Sequence, residues 1–100
     1  MLSVVIQGLG FVGSAMSIAV ASRVDSKGDP LFSAIGIDLP TKEGHKRINA
    51  INVGDFPFKT NDKKLACELK KAVDRGNLRG IHDTNAYSQA EIVLVSINCD

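Results

Sequence analysis

With 100 residues, 44% hydrophobic and 23% charged, the chain has the composition of one ordinary globular domain or a part of one. Twelve basic residues against eleven acidic ones leave a net charge of +1, which argues against a nucleic-acid surface but leaves room for a locally bound phosphate. Cys67 and Cys99 have no metal-site or secreted-scaffold spacing, no apolar run reaches the about 18 residues of a membrane span, and the N-terminus lacks a signal peptide's charged start, so a cytoplasmic protein with no membrane partner is expected.

The first element, Ser3 to Gln7, is an apolar run too short for a helix and reads as a parallel strand covered on both faces. It leads straight into Gly8-Leu9-Gly10-Phe11-Val12-Gly13, a Gly-x-Gly-x-x-Gly turn, and a helical pattern runs from Val12 to about Arg23. Val12, Ala15, Met16, Ala19 and Val20 recur at helical spacing and are expected to form its buried stripe. Strand, glycine turn and helix in this order are what a dinucleotide-binding βαβ unit requires. Gly8 permits the tight turn, Gly10 lets the backbone approach a pyrophosphate, and Gly13 lets the helix pack close to the strand. The free N–H groups and positive dipole end of the helix then face the phosphates.

Asp25 to Pro30 is an exposed loop rich in turn formers, and Ser33 to Asp38 reads as strand two, ending in an acid. At that tip the Asp38 carboxylate is suited to accept hydrogen bonds from both adenosine ribose hydroxyls and to repel a 2′-phosphate, which favours NAD over NADP. The alternative is a solvated strand-end acid, and Lys42, Lys46 and Arg47 follow close behind. Thr41 is the candidate N-cap of a helix from Lys42 to about Asn52, with Ile48 and Ile51 on its apolar side. Asn52 to Phe58 reads as an ordered loop enclosing two phenylalanines. Asn61 or Asp62 caps a further helix to about Arg75, with a stripe of Leu65, Leu69 and Val73 beside Ala66 and Ala72, and Gly76 as C-cap.

Leu78 to His82 is the expected third strand, Ala86 to Gln89 a short helix, and Glu91 to Ile97 a fourth, buried strand. The class is therefore α/β, a Rossmann-type parallel sheet with helices on both faces, strand order 3-2-1-4 and a ligand crevice beside strand one. A full dinucleotide fold needs two βαβ halves, and strand four ends three residues before Asp100. The expectation is an incomplete domain belonging to a longer enzyme. His45 and His82 lack partners at metal or triad spacing and read as surface or strand-end side chains, Cys67 reads as packing, and Cys99 falls just past strand four. No catalytic residue and no metal ligand is predicted.

The chain resembles the N-terminal NAD-binding domain of the UDP-glucose/GDP-mannose dehydrogenase family, the nucleotide-sugar 6-dehydrogenases. The resemblance rests on the Phe11-Val12-Gly13 ending of the glycine turn and on Gly36-Ile37-Asp38 closing strand two. Ile51-Asn52-Val53-Gly54-Asp55-Phe56-Pro57 resembles the family's Leu-Asn-x-Gly-x-x-Pro segment. Gly76-Asn77-Leu78 with Asp83, followed by Ala90-Glu91-Ile92-Val93, resembles its Gly-x-Leu…Thr-Asp…Ala-Asp pattern. The resemblance implies NAD contacts at Gly8, Gly10, Phe11, Val12, Gly13, Asp38, Val95 and Ser96. It also implies oxidation of a nucleotide sugar at C6 to the uronic acid with two NAD, through a cysteine in a C-terminal region absent from this chain. The central helix and C-terminal domains of the family are likewise absent, and a homodimer is implied for the full-length enzyme.

The chain departs from the family after strand four, where Val95-Ser96-Ile97-Asn98 lacks the usual Thr and Pro. Lys59-Thr60 replaces the usual acid, and His82 stands where Thr is usual, which points to a divergent subfamily. Two other classes share the opening βαβ unit: a different two-domain NAD(P)-dependent dehydrogenase, such as a 3-hydroxyacid dehydrogenase, and a non-catalytic dinucleotide-sensing module.

Overall fold

The computed structural model describes residues 1–96. The elements are β1 (Leu2–Gln7), α1 (Phe11–Ala21), β2 (Phe32–Ile37), α2 (Lys42–Asn52), α3 (Lys63–Arg75), β3 (Leu78–Ile81), a 3-10 helix (Thr84–Gln89) and β4 (Ile92–Val95). The strands are all parallel and ordered β3-β2-β1-β4, as expected for this α/β Rossmann-type class. Val4 on β1 stands opposite Ala34 of β2 and Ile92 of β4, which fixes the register of the central strand. Val4, Val5 and Ile6 are consecutive and buried, because β1 is flanked by strands and covered on both faces.

Side chains alternate across the sheet, so Val4, Ile6, Ala34 and Leu78 share one face. They form a single core with Ile18 and Ala21 of α1, Ile48 and Ile51 of α2, and Leu69 and Ala72 of α3. All three α-helices therefore lie on that face. Val5 and Ile37 point to the other, where the 3-10 helix approaches β1 and Tyr87 lies near Ile37. Both faces carry helical cover, but unequally.

Local signals set the ends of the helices. The Thr41 Oγ1 accepts the Gly44 N–H at 3.0 Å at the start of α2, and the Asp62 Oδ1 accepts the Leu65 N–H at 3.1 Å at the start of α3. Gly76 ends α3 in the left-handed conformation, at φ 88°. Leu69, buried at the centre of α3, contributes about 1.5–3 kcal/mol of burial free energy.

Helix α1 departs from its expected stripe. Gly13, Ser14, Ser17, Ile18 and Ala21 are buried, whereas Val12 is 63% exposed and Ala19 is exposed too. The reason is steric. Small residues let the helix lie against the sheet, and the two serines satisfy their own hydroxyls, Ser14 on the Leu9 carbonyl at 2.9 Å and Ser17 on the Gly13 carbonyl at 2.8 Å. Met16 and Val20 pack only at the margin of the core.

Further differences concern the edges. Ile92, Val93 and Val95 of β4 are exposed, because β4 is an edge strand of the sheet among the described residues. Cys67 is exposed on α3 rather than packed, since it lies off the face that carries Leu69 and Ala72. The six-residue 3-10 helix starts at Thr84, ahead of the expected Ala86, because the Asp83 carboxylate caps it through the Asn85 N–H at 2.9 Å. Strand β3 stops at Ile81, before His82. The expected end of strand four at Ile97 and the position of Cys99 lie outside the described residues.

Candidate functional site

The glycine turn between β1 and α1 is held by close backbone contact. Gly8 has φ +97°, which a side chain disfavours, and its N–H bonds the Ile37 carbonyl at 2.8 Å. A Cβ on Gly8 would sit 2.8 Å from the Ser96 carbonyl oxygen. A Cβ on Gly13 would fall on the Gly8 carbonyl and lie 3.2 Å from the Ser96 Cβ. Gly8, Gly13 and Ser96 thus form one tightly packed unit, and the Ser96 N–H closes it on the Gln7 carbonyl at 2.9 Å.

Gly10 is different. A Cβ there would meet nothing within 4 Å among the described residues, so none of their atoms requires glycine at this position. Gly10 is the N-cap of α1, makes no side-chain cap hydrogen bond, and is followed by no acidic residue in the first turn. The first-turn N–H groups of Phe11, Val12 and Gly13 have no intrahelical acceptors, and no acidic residue of the first turn offsets the positive end of the helix. Open space beside uncapped donors suits an anion approached by backbone.

Asp38 follows β2 and reaches back across the sheet edge. Its Oδ2 accepts the Leu9 N–H at 3.1 Å and Nη1 of Arg47 at 3.4 Å, and its Oδ1 accepts the Leu39 N–H at 2.8 Å. The carboxylate is therefore anchored to the glycine turn, not solvated as a loose strand-end acid.

Two clefts meet here. The smaller, about 230 Å³, is lined by Gly8, Leu9, Gly10, Phe11, Val12, Asp38, Arg47 and Ser96. The larger, about 430 Å³, shares Gly8, Asp38 and Ser96 and continues past Ile37, Leu39, Pro40, His82, Thr84 and Tyr87. Together they form a crevice at the carboxyl ends of β1 and β2, beside the point where strand order reverses. Burial pushes the Tyr87 hydroxyl above its ordinary value of 10.0, keeping it a neutral hydrogen-bonding group at physiological pH.

Phenylalanines brace one rim. The Phe11 ring meets those of Phe56 and Phe58 at centroid distances of 5.3 and 5.8 Å, and the Arg47 guanidinium lies 5.7 Å from the Phe58 centroid. This cluster ties the Asn52 to Phe58 loop to the start of α1.

Of the residues expected at the site, Gly8, Gly10, Phe11, Val12, Asp38 and Ser96 line the crevice. Gly13 lies behind it as packing support. Val95 sits in β4 opposite Gln7 and lines neither cleft. Leu39, Pro40, Thr84, Tyr87 and Arg47 also line the crevice, although nothing in the sequence marks them as site residues as clearly as the glycine turn and Asp38 are marked. Arg47 had a usable signal: it follows the buried Gly44 by three residues and precedes the buried Ile51 by four, which places it at the border of the packed face of α2. Leu39 and Pro40 come from a turn, and Thr84 and Tyr87 from a short 3-10 helix, neither of which has an apolar periodicity to read. His82 is exposed as expected, but its ring stacks edge-on against His45 at 4.8 Å and lines the crevice. Among the described residues no group of three or more His, Cys, Asp or Glu is placed to hold a metal, and no helix is long and apolar enough to cross a membrane.

No protein-family model and no curated protein sequence matches the chain. Solved structures do. NDP-N-acetyl-D-galactosaminuronic acid dehydrogenase from Methanosarcina mazei Go1 superposes with a TM-score of 0.83 at 21% identity over 98% of this chain. The fold is shared. GDP-mannose dehydrogenase from Pseudomonas aeruginosa, solved as a ternary complex, superposes with a TM-score of 0.76 at 22% identity over 97% of this chain. In each case this chain spans 20% of the length of the solved protein.

Proposed function

We propose that this chain is the N-terminal part of the NAD-binding domain of a nucleotide-sugar 6-dehydrogenase. The observation that carries the reading is the open approach at Gly10, set between the uncapped first turn of α1 and the anchored Asp38. A pyrophosphate fits this gap because its oxygens would accept from the Phe11, Val12 and Gly13 N–H groups without displacing a side chain. Asp38 takes the adenosine ribose, and the wider cleft bounded by Ile37, Leu39, Pro40 and Tyr87 offers apolar walls for the base. Bound NAD supplies a hydride acceptor. The chain's own residues bind and orient it, and none of them is assigned to the chemical step.

The likeness to two sugar-nucleotide dehydrogenases in fold, together with the motif resemblance over Gly8 to Val93, supports this family over other dinucleotide folds. On this reading the whole enzyme oxidises a UDP- or GDP-sugar to the uronic acid with two NAD, as a cytoplasmic homodimer supplying polysaccharide precursors. The substrate is held mainly by domains outside this chain. The test is an assay of the intact protein with UDP-sugars, GDP-sugars and 3-hydroxyacids, following NADH. Two NADH per nucleotide sugar is the expected result. Turnover of a 3-hydroxyacid, or NAD binding with no turnover of any sugar, would replace this reading with one of its competitors.

A further inference from the structure

His45 and His82 are far apart in the sequence and adjacent in the structure. Their rings meet edge to face, with centroids 4.8 Å apart and an interplanar angle of 76°. His45 stands in the first turn of α2, and His82 directly follows β3. These two elements are fixed against each other close to the pair. Gly80, two residues before His82, exchanges two hydrogen bonds with Asn52 of α2. Gly80 also lies so near α2 that a Cβ on it would come within 3.3 Å of the Ile48 Cα, three residues after His45. The backbones that carry the two rings are thus held in place, while both side chains are exposed and have room to rotate.

Two imidazoles so placed match what a divalent transition metal requires. Zinc holds an imidazole nitrogen at about 2.0–2.1 Å, which puts each ring centroid roughly 3.2 Å from the metal and two rings at a tetrahedral angle roughly 5.2 Å apart. The observed separation is slightly shorter, a gap that small side-chain rotations close. We propose that His45 and His82 form a two-ligand site for a divalent transition metal, zinc above all, at the wall of the larger cleft that His82 lines. Imidazole suits zinc, copper and nickel, whereas magnesium and calcium take oxygen donors. Among the described residues no group of three or more His, Cys, Asp or Glu is placed to hold a metal, so water fills the other positions of the shell and the ion exchanges readily. When bound, it ties α2 to the end of β3 and favours the folded state. This inference stands on the histidine pair alone and not on the dinucleotide reading.

The experiment is calorimetric titration of the intact, chelator-treated protein with zinc chloride and with magnesium chloride. A Cys67→Ser, Cys99→Ser background removes this chain's thiolates, which also take zinc. In that background the protein with both histidines is compared with His45→Ala, His82→Ala and the double variant, with a thermal melt of each. Both histidines are exposed, so all variants are expected to fold. The protein with both histidines is expected to bind one zinc ion more than the double variant, with a Kd of about 1–100 μM, and each single variant to weaken that site by about tenfold or more. Saturating zinc should raise the melting temperature of the protein with both histidines more than that of the double variant. Equal zinc binding by all variants overturns the proposal and leaves the pair a ring contact only. A site lost with one histidine but unchanged without the other overturns it too, as does magnesium bound as tightly as zinc. None of these outcomes touches the dinucleotide reading, which the NADH assay tests.

Discussion

The Asn52 carboxamide pairs with both backbone groups of Gly80: Nδ2 donates to the Gly80 carbonyl at 2.9 Å, and Oδ1 accepts the Gly80 N–H at 2.8 Å. Among the described residues β3 is an edge strand, and these Gly80 groups have no strand on their outer side. Asn52, the last residue of α2, stands in for the missing neighbour. The Asn-x-Gly-x-x-Pro segment thus carries a structural duty, tying α2 and its following loop to the sheet. Asn52→Ala leaves both groups without this partner and is expected to cost about 1–3 kcal/mol. A shift of the urea midpoint at unchanged slope checks this, and an unshifted midpoint rejects it.

Gly10 and Gly13 are expected to fail in opposite ways. A side chain at Gly13 collides with the Gly8 carbonyl, so Gly13→Ala should destabilise the fold by about 1–3 kcal/mol or more. Gly10 has ordinary backbone angles and empty space where a Cβ would go. Gly10→Val should therefore keep stability within about 1 kcal/mol, the scale of a helix-cap change, while obstructing the pyrophosphate. Thermal melts paired with NAD titrations separate the two. A Gly10→Val protein that binds NAD normally would show that this part of the turn contacts no cofactor.

Asp38 has two roles, and one substitution exposes both. Asp38→Asn keeps the size but replaces one acceptor oxygen with a donor, facing either the Leu39 N–H or the Leu9 N–H and Arg47. NAD affinity is expected to fall about tenfold to a hundredfold, corresponding to about 1–3 kcal/mol of hydrogen bonds to a charged group. The glycine turn should loosen as well, seen as faster amide exchange at Leu9. Unchanged affinity by calorimetry would take Asp38 out of the site.

Asn77 is buried behind β3 and joins three elements. Its Nδ2 donates to the Ala21 carbonyl at 2.8 Å and the Phe32 carbonyl at 3.0 Å, and its Oδ1 accepts Nε of Arg75 at 2.9 Å. Asn77→Ala removes these partners and leaves a cavity, and a loss of about 2–4 kcal/mol is expected. The crevice lies elsewhere, so NAD affinity of the folded fraction should stay within about twofold, since sites that share no partners act nearly independently. Denaturant unfolding and ligand titration on the same sample test the two halves of this statement.

Much of this protein was legible in its sequence. Local chemistry determined the order of the elements, because the Gly8 turn, the Thr41 and Asp62 caps and the Gly76 stop act within a few residues of themselves. The parallel class and the 3-2-1-4 order followed from short apolar runs separated by helices, since parallel strands need crossovers and crossovers have one hand. Tertiary structure decided which face of α1 is buried: the pattern of Val12, Ala15, Met16 and Ala19 measured hydrophobicity, whereas the sheet selected for smallness at Gly13, Ser14 and Ser17. Tertiary structure also brought Arg47 onto Asp38. Arg47 stands nine positions after Asp38, across a turn and part of a helix, and only the seating of α2 on β3, with Asn52 on Gly80, turns that spacing into an ion pair at the crevice wall. The glycine turn and the acid at the tip of strand two were sequence facts, but the charge they present together depends on a contact between elements that no local pattern encodes.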